Sequence, residues 1–385
     1  MIASKNIIAL TLSAVMLALA SCREDDVIFI PEDVPVSTPE YTSVKGFYLL
    51  NEGNMGSNKC TLDYYDYATG VYTRNVYGNA NPSVPKELGD VGNDLAVYGS
   101  RLYAVVNVSN KVEVMNAATT ERIGQIDIPN CRFIKFYKGY AYVTSYAGPV
   151  VINPDYEQLG YVAKVDTTTL QVVAQCVVGF QPDGLEITGG RIYVANSGGY
   201  MAPNYEHRLS VIDINSFTVI DEIEVGLNPE RLVADHHGGL WITCRGDYMN
   251  VKAALQCYDV RKQRMVAQLD MSVGNLWLDG DSLYVVTADW TAAAGSGTKY
   301  GIVDVNEHRV VCDNIITDGT DAKIKAPYGI MVNPITKDFY ISDARNYVNP
   351  GYLYCYGRDG VQKWSVRTGD VPAHMAMLGD DINDY

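Results

Sequence analysis

Six segments of the chain place aromatic side chains beside amide and charged ones, a combination that suits a neutral ligand or a protein surface. The aromatic rings offer apolar faces, and their neighbours offer hydrogen-bond donors and acceptors. An alternative interpretation is that some of the tyrosines only pack one loop onto another. The candidate ligand-binding residues of these segments are Asn54, Met55, Tyr146, Tyr200, Tyr205, Arg245, Asp247, Tyr248, Asp289, Trp290, Arg345 and Tyr347.

A strand-like run with an aromatic residue at its second position recurs seven times along the chain. The candidate segments follow these runs, so the repeated strands determine their positions. The period is about 49 residues, which is typical of repeat architectures. A Pro-x-x-apolar mark precedes several of the runs, and a strand, a short turn and another strand follow. Each repeat therefore predicts four short strands and no helix. The seven aromatic residues are Tyr48, Tyr103, Tyr142, Tyr193, Trp241, Tyr284 and Tyr340.

Four-stranded units at this period predict an all-β, seven-bladed β-propeller with four antiparallel strands per blade. The first repeat lacks an innermost strand before Phe47, whereas no blade follows the last Pro-x-x-apolar mark at 372–375. We therefore predict that residues 371–378 complete blade one and close the ring. With strands A to D running outward, short A–B and C–D turns occupy one face. The long B–C loops, which carry the candidate residues above, occupy the other.

The starts of the innermost strands predict a second group of candidate residues around the propeller axis. We expect the residue before each apolar anchor to line a polar funnel, with gaps at the glycines. A plainer interpretation is the water-filled channel mouth that every propeller has. The predicted ring consists of Asp94, Arg132, Gly184, Arg231, Asn275, Gly329 and His374.

An enzymatic alternative uses the same region, because lactonase-like hydrolases also use propellers with an axial metal. Carboxylates and amides can hold such a metal, and His374 can act as a base. However, the sequence has no nucleophile-elbow or phosphate-loop motif, and His236-His237 falls in an A–B turn on the opposite face. We therefore expect a non-enzymatic protein with no catalytic residue, metal ligand or cofactor. The metal ligands in the alternative would be Asp94, Asp183, Glu230 and Asn275.

The N-terminal residues predict export. Lys5 precedes an apolar run at 7–20 that is too short to span a bilayer. Leu-Ala-Ser-Cys22 follows and resembles the lipobox of bacterial lipoproteins, which implies removal of a signal peptide at 1–21 and lipidation of Cys22. The acidic residues just after Cys22 resemble the surface-export signal of gut-anaerobe lipoproteins, so we expect an outer-membrane protein facing the exterior. Residues 22–44 predict a flexible acidic and proline-containing tether, and residues 45–385 the propeller.

Composition narrows the classes of partner. The formal charge is −15, which argues against nucleic acid and against anionic lipid, so the lipid anchor is the only membrane contact expected. The chain has eight cysteines, and lipidation of Cys22 leaves an odd number with no C-x-x-C pair. Buried thiols are a better interpretation of these cysteines than a disulfide framework or a metal site.

Two short motifs resemble known propeller families. Tyr193-Val-Ala-Asn196 and Tyr142-Val-Thr-Ser145 resemble the YVTN repeat of YncE-like and surface-layer propellers, over about residues 45–380. Leu50-Asn-Glu-Gly-Asn54, after the lipoprotein leader, resembles the BtuG-type surface lipoproteins of gut anaerobes. Those are seven-bladed propellers that capture cobalamin and related corrinoids and cap an outer-membrane corrinoid transporter. The resemblance implies a corrinoid ligand and a TonB-dependent transporter as partner, and a protein- or glycan-binding module remains an alternative.

Overall fold

The computed structural model describes residues 32–149, 151–287 and 299–379, and nearly all of its regular structure is β-strand. The strands form seven antiparallel sheets, six of which have four strands, whereas blade one has five. The innermost strands of neighbouring blades pack against one another around the axis. The predicted all-β, seven-bladed β-propeller is therefore confirmed.

Blades one to four each run outward from an innermost strand near the axis, and their strands are numbered in chain order. Blade one contains β29 (Pro372–Gly379), β2 (Val44–Asn51), β3 (Thr61–Asp66), β4 (Val71–Arg74) and β1 (Glu32–Pro35). Blade two contains β5 (Gly92–Tyr98), β6 (Arg101–Val106), β7 (Lys111–Asn116) and β8 (Arg122–Asp127). Blade three contains β9 (Cys131–Tyr137), β10 (Tyr140–Ser145), β11 (Tyr161–Asp166) and β12 (Val172–Val177). Blade four contains β13 (Pro182–Thr188), β14 (Arg191–Asn196), β15 (Arg208–Asp213) and β16 (Thr218–Glu224).

Blades five to seven follow the same order. Blade five contains β17 (Pro229–Ala234), β18 (Gly239–Cys244), β19 (Ala254–Asp259) and β20 (Arg264–Leu269). Blade six contains β21 (Val273–Asp279), β22 (Ser282–Thr287), β23 (Lys299–Asp304) and β24 (Arg309–Cys312). Blade seven contains β25 (Pro327–Val332), β26 (Phe339–Asp343), β27 (Pro350–Tyr356) and β28 (Gln362–Asp370).

The C-terminal strand closes the ring as predicted. Strand β29 pairs antiparallel with β2, with Phe47 opposite Met377, so the last strand of the chain is the innermost strand of blade one. Strand β1 lies within the segment predicted as a tether and pairs with β4 at the outer edge of blade one. Thr73 Oγ1 donates to Asp33 Oδ1 over 2.6 Å across this pair. Proline is tolerated there because an edge strand leaves one row of N–H groups unpaired.

Two short helical segments were not predicted. Helix α1 (Val76–Ala80) lies between β4 and β5, and a 3-10 helix (Thr320–Lys323) lies between β24 and β25. These are the two longest connections from one blade to the next, and local helical hydrogen bonds satisfy backbone groups that no strand reaches. Among the described residues, no helix has the length and hydrophobicity to cross a membrane.

The core lies between adjacent blades, where the repeated aromatic residues pack. Six of the seven are buried, and Tyr284 is half-buried. Tyr48 Oη donates to Ala117 O over 2.8 Å, which links blades one and two. Tyr67 and Tyr340 share a buried hydrogen bond of 2.8 Å, which links blades one and seven. All seven cysteines after Cys22 are free and six are buried, which confirms the prediction of unpaired thiols.

Candidate ligand-binding face

A repeated hydrogen bond fixes where the B–C loop begins in six of the blades. The N–H of the first residue after strand B donates to the carbonyl of the residue before strand A, over 2.8–3.2 Å, in six blades. Each of these loops therefore starts at the same position relative to the axis, although the loops differ in length and sequence. The donors are Glu52, Asn107, Tyr146, Ser197, Arg245 and Ala344.

Each innermost strand has an irregularity near its start, which corrects the predicted axial ring at one position. In blade three, Arg132 is equivalent to Asp183 of blade four, and Phe133 is equivalent to Gly184. Arg132 therefore lies one residue earlier than the ring in which it was placed, because Phe133 is not the apolar anchor that its type suggests. The pairs that establish this register are Cys131↔Ser145 and Ile134↔Val143 in blade three, and Pro182↔Asn196 and Leu185↔Val194 in blade four.

The two glycines of the predicted ring are close contacts between blades and not gaps in the funnel lining. A Cβ on Gly184 would lie 2.3 Å from Glu230 O, and one on Gly329 would lie 2.1 Å from Ala373 O. Neighbouring innermost strands approach too closely there for any side chain.

A buried ion-pair network lies at the axial end of blades three to five. The Asp183 carboxylate is fully buried and accepts from Arg132 Nε over 2.9 Å, Tyr146 Oη over 2.7 Å and Arg245 Nη2 over 3.0 Å. Arg245 also pairs with Glu230 over 3.3 Å, and the Arg132 guanidinium lies 4.9 Å from the Tyr146 ring centroid. The sequence predicted three of these residues as binding candidates, but it placed Asp183 only in the metal-binding alternative.

Electrostatics keep this network charged. Burial alone would raise the pKa of Asp183, but Arg132 and Arg245 lower the pKa below its usual range. Burial likewise opposes the charge of Arg245, but Glu230 and Asp183 hold its pKa above the usual range. Burial raises the pKa of Tyr146 well above its usual range, so its hydroxyl stays protonated and remains a donor.

The B–C loop of blade four covers the network. The Tyr200 and Tyr146 rings meet edge to face with centroids 5.5 Å apart. A Cβ on Gly199 would lie 3.4 Å from Tyr146 Oη and 3.5 Å from Arg245 Nη2, so the loop backbone passes directly over both. Gly198 allows this path with a φ of 59°, where a Cβ would lie only 2.7 Å from Glu206 N.

The aromatic contacts continue to blade five. Tyr205 and Tyr248 meet edge to face with centroids 6.2 Å apart. The Asp247 carboxylate accepts the backbone N–H groups of Met249, Asn250 and Val251, so it shapes the loop that presents Tyr248. Tyr200, Tyr205 and Tyr248, from the loops of blades four and five, therefore form an aromatic wall over the buried Tyr146.

A second cluster joins blades seven and one. Glu52 lies 2.9 Å from His374 Nε2, and its other oxygen accepts from Tyr328 Oη over 3.1 Å. Tyr328 meets Tyr347 edge to face at 5.8 Å, and Asn54 Nδ2 donates to the Tyr347 carbonyl. Burial and then Glu52 raise the pKa of both Tyr328 and Tyr347, so both phenols are neutral donors at neutral pH.

Three members of the predicted ring link neighbouring innermost strands. Asp94 Oδ2 accepts the Ile134 N–H over 2.9 Å, and Asn275 Nδ2 donates to Tyr328 O over the same distance. Arg231 Nε donates to Gly274 O over 3.2 Å, and its guanidinium lies 5.5 Å from the Phe133 ring centroid. Arg231, from blade five, thus contacts residues of blades three and six.

The remaining candidates have different positions. Arg345 lies 5.7 Å from the Tyr352 ring centroid and donates to Pro350 O over 3.4 Å, so it supports its own loop. Met55 is 61% exposed at the tip of the blade-one loop. Asp289, Trp290 and Cys22 lie outside the described residues.

Exposed apolar loop tips and two axial residues were missed. Met249 is 85% exposed and Ile152 is 72% exposed, and with Met55 they lie on B–C loops of three different blades. Loop-tip position was the signal for them, because large apolar side chains at such sites mark interaction surfaces. Glu52 was within the quoted Leu50-Asn-Glu-Gly-Asn54 motif, and Tyr328 within a Pro-x-x-apolar mark, but only the register shows that both face the axis.

These arrangements favour binding over proton transfer. Both Asp183 oxygens are occupied by cationic or phenolic donors, and its lowered pKa makes it a poor base. Among the described residues, the only group of three side chains able to share a metal is His236, His237 and Asp281, which lies in A–B turns on the opposite face. The face thus offers neutral aromatic donors around compensated charges, which suits a ligand with apolar faces and polar edges.

Fold and face together define a seven-bladed β-propeller with an elaborated loop face. The chain belongs to the family described as Domain of unknown function (DUF5074), which matches residues 45–359. No curated protein is significantly similar to the chain.

Solved structures share the fold at low identity. A quinonprotein alcohol dehydrogenase-like protein from Bacteroides thetaiotaomicron is 13% identical with a TM-score of 0.59, over 87% of this chain and 78% of that one. Hydrazine synthase from Kuenenia stuttgartiensis is 17% identical with a TM-score of 0.55, over 70% of this chain and 77% of that one. The Pan2 WD40 domain of Neurospora crassa is 10% identical with a TM-score of 0.50, over 75% of this chain and 80% of that one. These similarities concern the fold alone, and the proteins named include enzymes.

Proposed function

We propose that this protein is a non-enzymatic surface lipoprotein that captures a small ligand on its loop face, with cobalamin or a related corrinoid as that ligand. The observation that carries the proposal is the aromatic wall of Tyr200, Tyr205 and Tyr248 above the buried network that Asp183 forms with Tyr146 and two arginines. A corrin has broad apolar faces and a rim of amides. Aromatic faces and neutral phenolic donors match those two features.

Pre-organisation supports this function. Each loop of the wall begins at a backbone hydrogen bond to the scaffold, and Asp183 fixes Arg132, Tyr146 and Arg245 from below. Side chains already held in place lose little conformational entropy on binding. A rigid face of this kind suits tight capture of a dilute ligand.

Transfer to an outer-membrane, TonB-dependent transporter completes the proposal and rests on the resemblance to BtuG-type lipoproteins. Met55, Ile152 and Met249 are exposed on B–C loops of the same face and offer apolar contacts to a protein partner. The Leu-Ala-Ser-Cys22 motif would anchor the chain by its lipid.

A hydrolase with an axial metal receives less support. Asp183 and Glu230 are paired with arginines, and Asp94 and Asn275 bond neighbouring strands. Recruiting them to a metal would break these contacts. A protein- or glycan-binding module uses the same face and differs only in its ligand.

Isothermal titration of the mature chain with cyanocobalamin tests the proposal. We expect saturable binding at one ligand per chain, together with a shift in the visible spectrum of the ligand. Absence of both heat and spectral change would remove the corrinoid from the proposal. Glycan-array binding in its place would favour the surface-module alternative.

A further inference from the structure

The histidine-containing turns on the opposite face form a compact group of ligand atoms. His236 Nε2 lies 3.0 Å from Asp281 Oδ1, and His237 Nε2 lies 2.9 Å from the same oxygen. The ring centroids of the two histidines are 4.0 Å apart. Two imidazole nitrogens thus converge on one carboxylate oxygen, and all the ligand atoms lie within 4.8 Å of one another.

We propose that His236, His237 and Asp281 form a binding site for a divalent transition-metal ion, with Zn²⁺ as the expected ion. Zn²⁺ binds imidazole nitrogen and carboxylate oxygen at about 2.0–2.2 Å, so tetrahedral ligand atoms are separated by about 3.3 Å. The two distances from histidine Nε2 to Asp281 Oδ1, 3.0 and 2.9 Å, need to widen by only a few tenths of an ångström. Two imidazoles with one carboxylate favour Zn²⁺ over Mg²⁺ and Ca²⁺, which prefer oxygen ligands.

The scaffold presents these ligands from two fixed turns. Asp235 accepts the His237 N–H over 2.9 Å and the Gly239 N–H over 2.8 Å, and its other oxygen accepts from the buried Trp241 Nε1 over 2.9 Å. Asp281 lies in the neighbouring turn, and its carbonyl accepts the Val305 N–H over 3.1 Å. The backbone around the ligands is therefore held by contacts that the metal does not have to create.

The position of the site gives it a role separate from ligand capture. His236 and His237 lie in the A–B turn of blade five, and Asp281 in that of blade six, so a bound ion would join two blades. Three protein ligands leave one coordination position for water or for a side chain of another protein. The negative charge of the chain favours a cation. Burial raises the pKa of thiols such as Cys131 to about 12, so these buried thiols compete poorly for the ion.

Calorimetric titration of untagged protein with ZnCl₂ tests this site. We expect one Zn²⁺ per chain, a rise in Tm on binding, and no such response to MgCl₂ or CaCl₂. The double variant His236→Ala/His237→Ala and the variant Asp281→Asn should lose the binding while keeping the metal-free Tm of the wild type. The matched control is His207→Ala, because His207 is also exposed and lies 3.0 Å from a carboxylate, that of Glu224.

Retention of Zn²⁺ binding by the control supports the assignment. Absence of saturable binding by the wild type, or full binding by the double-histidine variant, would overturn it. Co²⁺ gives an independent measurement, since its visible absorption spectrum reports nitrogen and oxygen coordination and should disappear in the same variants. A bound metal that survives in the double variant would instead favour the axial site of a hydrolase.

Discussion

Asp183 is the side chain on which the candidate face depends most. It is fully buried, and each of its oxygens meets a different arginine, one from blade three and one from blade five. Removing the negative charge leaves two cations together in a partly desolvated site. Loss of one partner from a buried ion pair is strongly destabilising, whereas loss of an exposed one has little effect.

Asp183→Asn should therefore lower the free energy of unfolding by about 3–5 kcal/mol. Urea unfolding followed by far-UV circular dichroism measures the change. Glu222→Gln is the control, because Glu222 pairs with Arg208 over 2.8 Å but is exposed, and its loss should change stability by less than about 1 kcal/mol. Equal effects of the two substitutions would show that the Asp183 network does not stabilise the fold.

Ionisation of the Asp183 carboxyl group should make the stability of the fold depend on pH. Its pKa is lower in the folded than in the unfolded protein, so its ionisation stabilises the fold above the unfolded value of about 3.9. This contribution is lost as pH falls through the lower folded pKa. The stability difference between wild type and Asp183→Asn should be constant from about pH 7 to 5 and shrink below about pH 4. A difference that shrinks between pH 7 and 5 would contradict this assignment.

The sequence predicts which residues lie on the candidate face better than it predicts which side chains they contact. Arg132 and Arg245 were chosen as candidates from their positions in the repeat, but their shared partner lies 51 and 62 residues away along the chain. Only the register of three blades brings the groups together. The repeats were aligned one residue out of register in blade three, because the apolar Phe133 resembles an anchor. Its side chain instead faces Arg231.

Among the elements, the innermost strands determine how closely the blades approach. Gly329 and Gly274 are both near the start of such a strand, but their surroundings differ. A Cβ on Gly329 would lie 2.1 Å from the Ala373 carbonyl of the closing strand, whereas one on Gly274 would have no atom nearer than 3.8 Å. Neither glycine has a positive φ, so the two substitutions differ in the space available for the added methyl group.

Gly329→Ala should destabilise the protein by about 1–3 kcal/mol, because β25 and β29 must separate to admit the methyl group. Gly274→Ala should change stability by less than about 1 kcal/mol. Thermal unfolding of both variants checks the prediction. If both substitutions lower Tm equally, close approach of the blades is not the reason for glycine at 329.

The repeated strands were predictable because their period and alternation persist over seven copies. Strand β1 was not, since Glu32–Pro35 contains proline and acidic residues, and its order comes from pairing with β4. Helix α1 was also missed, because five residues give too short a pattern to recognise. Elements that depend on tertiary contacts rather than on their own pattern are the ones that escape prediction from sequence.

For the whole molecule, we expect a propeller that is anchored to the membrane by a lipid on Cys22. Cys22→Ser should release the protein from the membrane fraction and prevent incorporation of labelled fatty acid. Cys312→Ser is a suitable control, since Cys312 is a free, half-buried thiol outside the Leu-Ala-Ser-Cys22 motif, and its substitution should leave both properties unchanged. Membrane association of the Cys22→Ser protein would show that something other than the lipid anchors it.

We propose that the loop face, and not the opposite face, binds the ligand. Calorimetric titration with cyanocobalamin of wild type, Tyr200→Ala/Tyr248→Ala and Tyr41→Ala tests it most directly. Tyr41 lies before β2 at the turn side and is 83% exposed, so it is a matched control. The loop-face variant should bind at least about tenfold more weakly with unchanged Tm, and Tyr41→Ala should bind as the wild type does. Equal affinity of all three proteins would contradict the claim.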